Sequence, residues 1–450
     1  MTPTEASTAL DSLVAQIVAS NNYPALEHTI RNGLPKDSRE TILASALSSG
    51  QDPLTVLDLR AHTLGVLYII SARLQGSSST LPSLQIVADF CRVFNPDQAR
   101  IAPQRVTQLA KSVLRISEDL ENPKWAVEPL HNLLMRFAPD PSCLTPIHPL
   151  FALSCVKTQS FTAALPLLLS HPITSVDTSL TPELTYSDNL MYHYLGGVIL
   201  AALKKWDAAE DYFETCVSSP AQVPAALQLE ALKKLSIIQL ISKGKTSSLP
   251  KYTNSQLSRL FKQTPYTAFI NNYPRNTKQL HNILDKEHPY FLNERMVGLL
   301  RQALARAPRW SIKKLTETYL TLNLAEIAKE VNISSENEVR SIVLDMIAVG
   351  DINAKLSISG TVTFSDAPSE VAKITKDEVD KMLYDAQVQG ELLARLEADL
   401  GRSREYLTKA VKAKDDPWAG ASNEEELFAM GMSGVGGPSN PSWNDDAMFS

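Results

Sequence analysis

The chain has 450 residues, 44% of them apolar, which is enough for a sizeable core and for roughly two to four domains, and rules out a wholly disordered chain. Its net charge of −6 is unevenly placed: residues 415–450 hold Asp415, Asp416, Glu424, Glu425, Glu426, Asp445 and Asp446 and no Lys or Arg, leaving the rest at +1. A body so balanced lacks the basic footprint of a dedicated nucleic-acid binder.

From Leu10 to about Phe137 the pattern predicts successive helices of ordinary length, broken at Pro24, at Gly33-Leu34-Pro35, at Gln75–Pro82 and at Pro96. The most apolar of these segments, Leu54–Leu74, reads as one buried core helix. A proline-rich gap from Ala138 to Pro146 marks the first candidate boundary, giving an N-terminal helical region over residues 1–146.

Two-helix units become clearer from Ile147. Tight turns at Thr158–Ser160, at Lys204–Trp206 and at Gly244 recur at roughly 40-residue intervals, within the range of helical-repeat arrays. Gly196, Gly197, Ala201, Ala208 and Ala209 are small enough to let helix backbones approach closely. Exact tetratricopeptide spacing is absent, so residues 147–308 are expected to form degenerate helical repeats. A further helix is predicted over Glu287–Ala305, leading through Pro308 into the next domain.

Residues 309–366 carry the sharpest pattern. Leu324, Ile327, Ala328 and Val331 stripe one helix, with Asn323 as its cap and Glu326 reaching back to the capping residue's amide. Ser335 and Glu338 repeat that signature, and Val339, Ile342, Val343, Met346 and Ile347 stripe the next helix until Gly350 stops it. Ile352, Ala354 and Leu356, then Val362 and Phe364, alternate with polar residues around a hairpin turn at Ser357–Gly360. Three helices followed by two short strands make a winged helix. Beyond it, residues 367–414 contain a predicted helix from Lys376 to Lys412. There Val379, Leu383, Ala386, Leu393, Leu396, Leu400 and Leu407 lie near heptad spacing, with Gly390 and Gly401 as weak points. Residues 415–450 read as a disordered acidic tail, in which ELFAM and the terminal WNDDAMF are candidates for folding on binding.

Catalytic chemistry finds no support along the chain. Gly244-Lys245-Thr246 imitates the end of a phosphate-binding loop, but Gln239 stands where its first glycine belongs and a helix precedes it. Gly196-Gly197 lacks the third glycine and the strand–helix setting of a dinucleotide site. None of the eight histidines pairs as H-x-H or H-x-x-x-H. Cys91, Cys143, Cys155 and Cys216 are scattered, as expected of free thiols in a reducing compartment. The start of the chain has neither a basic nor an apolar leader region, and no stretch is apolar enough to cross a membrane. No catalytic residue, cofactor or metal is expected.

The rival reading is a winged helix that docks on nucleic acid. Glu336, Glu338 and Asp345 on the third helix outnumber Arg340, and the hairpin offers only Lys355, so phosphate contact is disfavoured. A protein-binding module fits better, its strands pairing edge to edge with a neighbour's.

Helical repeats running into a winged helix resemble the PCI domain, shared by the proteasome lid, the COP-nine signalosome and the translation initiation factor three complex. HPLFALSCVKTQSFTAALPLL, YHYLGGVILAALKKWDAAEDYFETCVSSP, LEALKKLSIIQLISKGKTSSLPKYT and IKKLTETYLTLNLAEIAKEV are similar to the signalosome's subunit-three family. The resemblance spans about residues 147–364. It implies an all-α solenoid ending in a winged helix, and a non-catalytic scaffold in the complex that removes the ubiquitin-like modifier from cullins. It further implies cytoplasmic and nuclear residence, subunits one and eight as neighbours, cullin-RING ligases as indirect partners, and a shared bundle of C-terminal helices. The interface residues so implied are Ile352, Ala354, Leu356, Val362 and Phe364 in the winged helix, and Leu383, Leu393, Leu396 and Leu400 in the C-terminal helix. A paralogous lid or initiation-factor subunit is the alternative.

Overall fold

The computed structural model describes residues 3–35, 37–75, 81–365 and 375–408. The chain divides into two compact units, Met1–Ser365 and Asp366–Ser450. The first unit opens with nine helices among the described residues: α1 (Pro3–Ala19), α2 (Tyr23–Asn32), α3 (Arg39–Ala44), α4 (Pro53–Val56), α5 (Thr63–Gln75), α6 (Leu84–Val93), α7 (Pro96–Ala99), α8 (Pro103–Asp119) and α9 (Val127–Phe137). Side-chain caps start several of them. Asn22, Asp52, Ser83 and Asn95 each accept a first-turn backbone N–H that the helix itself cannot satisfy.

Every residue of α5 from Thr63 to Leu74 is buried, so this helix is the axis of the N-terminal core. The single helix expected over Leu54–Leu74 is nevertheless two. The Asp58 carboxylate accepts the N–H groups of Arg60 and Ala61, and His62 Nδ1 accepts that of Asp58, a local turn that competes with helix and separates α4 from α5.

Next come β1 (Cys143–Leu144), α10 (Ile147–Thr158), α11 (Phe161–Ser170), β2 (Ser175–Val176), α12 (Tyr186–Ala202), α13 (Trp206–Ser218) and α14 (Ala226–Lys243). The turns sit where the spacing places them, with Gln159, Lys204 and Gly244 in left-handed conformation. Gly196 and Gly197 bring α12 onto α13: a Cβ on either would lie 2.5 Å from the Tyr212 ring or 2.8 Å from the Phe213 ring. The prolines between Ala138 and Pro146 do not divide the core. Leu134 and Phe137 belong to the same buried cluster as Leu144, Ile147 and Phe151, and that cluster runs from Ala6 to Leu257. Pairing of β1 with β2 in parallel ties the proline-rich loop to the turn after α11.

After α15 (Ser255–Lys262), whose Leu257 closes the first core, a second core that begins on the last turns of α14 takes in α16 (Pro265–Asn272), α17 (Thr277–Lys286), α18 (His288–Asn293) and α19 (Val297–Thr316). The helix expected over Glu287–Ala305 is broken at Arg295, whose φ of +57° turns the chain between α18 and α19. Phe291 and Met296, on either side of the break, are both buried, and Glu294 is held by Lys233 and Tyr266 at 2.6 and 2.7 Å. Continuing through Pro308, α19 buries Leu300, Ala303 and Ala307 in this core and Ile312 in the next. One helix therefore serves both the repeat array and the winged helix. Trp310 lies on Gly244, and Arg306 donates to the Ile241 carbonyl at 2.9 Å, fixing α19 against the end of α14.

The winged helix adds β3 (Thr321–Asn323), α20 (Leu324–Val331), α21 (Glu336–Val349), β4 (Ala354–Leu356) and β5 (Thr361–Phe364). The sheet has three strands rather than two, in the order β3-β5-β4, all antiparallel. The second unit contains α22 (Lys376–Arg402). Expected to reach Lys412, this helix ends at Ser403, where the backbone turns extended (ψ 140°), and 409–412 lie outside the described residues. The acidic tail, with ELFAM and WNDDAMF, also lies outside them.

Candidate functional site

The winged helix is built by local chemistry. The Glu326 carboxylate accepts the Asn323 N–H at 3.1 Å and Ser335 Oγ accepts the Glu338 N–H at 3.4 Å, fixing the starts of α20 and α21. Left-handed Asn332 and Gly350 end them, at φ +58° and +83°. In the hairpin, the Ser357 N–H donates to the Thr361 carbonyl at 2.9 Å, and Gly360 supplies the positive φ the turn requires.

Most of the side chains expected to meet a neighbour here are spent internally. Val362 is fully buried, and Ile352, Ala354 and Phe364 are 7, 7 and 5% exposed, packed against Leu324, Ile327, Val339, Val343 and Met346. Leu356 is half-buried against the same core. Hydrophobic alternation located the inner face of the sheet, and the fold closes that face with its own helices.

What remains open is backbone. The Ser357–Thr361 and Ser365–Asn353 bonds set the register, so Lys355 faces β5 while the Ala354 and Leu356 N–H groups point away from the sheet. On the opposite edge, Phe364 N–H to Leu320 O and Leu324 N–H to Gly360 O turn Asn323 outward, where Glu326 takes its N–H. The β4 edge is thus the better template for an incoming strand. Apolar side chains flank the sheet: Leu320 and Ile358 are strongly exposed, as are Leu344 and Val349 on α21. On α21, Asp345 is engaged with Arg309 at 3.4 Å, while Glu336 and Glu338 stay exposed.

The C-terminal helix is the opposite case. Thr375 caps it in a full capping box: Thr375 Oγ1 accepts the Glu378 N–H at 3.4 Å and the Glu378 carboxylate accepts the Thr375 N–H at 2.8 Å. Those hydrogen bonds hold the Glu378 carboxyl below its ordinary range. No residue of α22 is buried. Leu383, Leu393, Leu396 and Leu400 are 63, 58, 55 and 63% exposed, and Val379, Met382, Tyr384 and Val388 join them. Gly390 does not break the helix.

Elsewhere, the cysteines and His148 are sealed. Burial pushes the thiols of Cys91, Cys155 and Cys216 up to about 12, far from the nucleophilic thiolate, and all four cysteines are free and buried. His148 is fully buried in the first turn of α10; its Nδ1 accepts the Thr145 N–H at 3.0 Å and its Nε2 donates to the Pro141 carbonyl at 3.1 Å. Burial holds its pKa down at about 4, so it is a neutral structural ring. Among the described residues no three His, Cys, Asp or Glu converge as a metal site, and no helix is long and apolar enough to cross a membrane. Gly244-Lys245-Thr246 is the left-handed end of α14 under Trp310.

Comparison with known proteins matches this architecture in order. The family model for the N-terminal helical repeats of COP9 signalosome complex subunit 3 covers residues 32–257, half of the chain, spanning α3 to α14 and the start of α15. The chain belongs to the COP9 signalosome complex subunit 3 family. The PCI domain model covers residues 277–366, from α17 through β5. The protein is similar to COP9 signalosome complex subunit 3 of Dictyostelium discoideum, at 29% identity over 377 residues, 80% of this chain and 88% of that one. It is also similar to that of Drosophila melanogaster, at 28% identity over 448 residues, 91% and 96% of the two chains. The family's repeat region crosses residue 146 without interruption, as the continuous core does.

Proposed function

We propose that the chain is a non-catalytic scaffold subunit of the COP9 signalosome, positioning other subunits so that the complex can remove the ubiquitin-like modifier from cullins and so regulate cullin-RING ligases. The observation that carries this reading is the match of the subunit 3 repeats over residues 32–257, followed directly by a PCI domain. Two surfaces suit the role. The open edge of β4 can extend a neighbour's sheet through main-chain hydrogen bonds, and the exposed leucines of α22 want a helical partner. The flanking neighbours are then subunits one and eight, the C-terminal helices share one bundle, and residence is cytoplasmic and nuclear. The division of labour is then residues 1–146 as N-terminal helical repeats, 147–308 as the helical-repeat part of the PCI domain, 309–366 as its winged helix, 367–414 as the bundle segment and 415–450 as an acidic tail.

The test is a native pull-down of the tagged chain from its own cells, with identification of partners and an assay of modifier removal from cullins, for the full chain and for a truncation after Asp366. Recovery of the signalosome subunits and the activity with the full chain, and their loss on truncation, supports scaffolding through α22. Proteasome-lid or ribosomal partners would overturn it, as would binding to nucleic acid that falls steeply with salt.

A further inference from the structure

A groove of about 460 Å³ opens on the repeat array between α12, α13, α14 and the start of α19. Its floor is apolar: Tyr194, Leu195, Val198, Phe213 and Leu299 line it. The volume admits two side chains of leucine or phenylalanine size.

Its rim is basic. Lys204, Lys234 and Arg295 line the groove, and none of the three has a carboxylate partner among the described residues. Lys234 Nζ stands 5.4 Å over the Tyr194 ring, at the boundary between floor and rim. Lys204 and Arg295 both occupy left-handed turn positions, φ +57° each, which favour glycine or asparagine, and there project their cations from the turns that bound the groove. The start of α19 has neither a side-chain cap nor an acid in its first turn, so the positive end of that helix adds to the field. The one acid on the lining, Glu294, is turned to Lys233 and Tyr266 at 2.6 and 2.7 Å.

We propose that this groove docks a short acidic segment of a partner protein, which buries two bulky apolar side chains on the Tyr194–Phe213–Leu299 floor while its carboxylates meet Lys204, Lys234 and Arg295. Charge complementarity selects this occupant: three unpaired cations around an apolar floor suit carboxylates flanking apolar anchors. A basic segment would be repelled. A nucleic acid would want more cations than three and stacking faces, and Tyr194 already has a cation over its ring.

Gly298 provides the decisive variant. It lines the groove, and a Cβ built on it meets nothing within 4 Å, so a side chain there starts into open space. The experiment uses the full chain and fluorescein-labelled peptides, Glu-Glu-Leu-Ser-Ala-Phe-Glu-Glu and its counterparts with Ser or Lys in place of every Glu, read by fluorescence anisotropy. The acidic peptide should bind at least about tenfold more tightly than either counterpart at low salt and lose most of that margin at about 0.5 M salt. Gly298→Phe should abolish binding, Gly298→Ala should leave it intact, and joint Lys204→Glu, Lys234→Glu, Arg295→Glu replacement should transfer the preference to the Lys peptide. Circular dichroism and a thermal unfolding midpoint near wild type establish that each variant is folded. The proposal fails if no peptide binds, if the Ser or Lys peptide or a single-stranded DNA oligonucleotide binds as tightly as the acidic one, or if folded Gly298→Phe binds unchanged.

Discussion

The winged helix and α22 carry similar apolar stripes and use them in opposite ways. In the winged helix Ile352, Ala354, Val362 and Phe364 close onto α20 and α21, and the surface left for a neighbour is a strand edge with the Ala354 and Leu356 N–H groups turned outward. In α22 the leucines at 383, 393, 396 and 400 remain exposed, and the backbone between its ends is paired along the helix. An apolar stripe therefore marks an interface only when no element of its own domain covers it. On the proposed reading, the winged helix would offer main chain to a neighbour and α22 would offer side chains.

The largest expected effect sharpens that contrast on the α22 side. Joint Leu383→Ala, Leu393→Ala, Leu396→Ala and Leu400→Ala replacement preserves helix propensity but removes side chains worth about 1.5–3 kcal/mol each when buried. Co-purification of the other subunits should be lost, while the thermal unfolding of Met1–Ser365 within the same full chain stays unchanged. A variant that lowers stability but not assembly would break the comparison.

On the other side, Phe364→Ala should cost about 3–5 kcal/mol of winged-helix stability, because it opens a cavity in a sealed core. Denaturant unfolding followed by hydrogen exchange of α20 and α21 measures it. A cost below about 0.5 kcal/mol, with assembly impaired, would mean that Phe364 serves a neighbour after all.

Sealing elsewhere in the first unit gives a pH signature. His148 has its pKa lowered to about 4 in the fold against about 6.5 unfolded, so the unfolded chain binds more protons between those values. Its contribution is fully present above about pH 6.5, declines as pH falls towards 4, and amounts to roughly 3 kcal/mol at most. Stability of the repeat array measured between pH 7 and 4 should fall accordingly, less steeply in His148→Gln.

The smallest effect probes the strand edge. Leu356→Pro removes an outward N–H without touching the bonds to β5, so folding should survive. Affinity for the neighbouring winged helix should drop by about 0.5–1.5 kcal/mol, a few-fold to tenfold, in a binding titration of the assembled subcomplex. No change would place the contact elsewhere, on Leu320 and Ile358 or on α21.

Much of this molecule was legible because helix ends are written within three or four residues. Asn323 with Glu326, Ser335 with Glu338, and Gly244 and Gly350 as left-handed stops all do in the fold what their spacing predicts. The start of α22 at Lys376 and the repeat turns at Gln159 and Lys204 were equally local. Three features were not. β3 is three residues long and exists because β5, some forty residues later, offers a free edge. The break at Arg295 is stabilised by Lys233 and Tyr266 on other helices, which hold Glu294 beside it. Apolar alternation in Ile352–Phe364 stated which side chains share a face, but whether that face meets solvent, a partner or the domain's own helices depends on how α20 and α21 dock. The sequence by itself determined the capped helix starts of the winged helix and α22, the repeat order and the family, since short-range hydrogen bonds and side-chain periodicity suffice for them. Only the tertiary structure decided which apolar stripe is core and which is left for a partner, because burial is a property of elements distant in the chain.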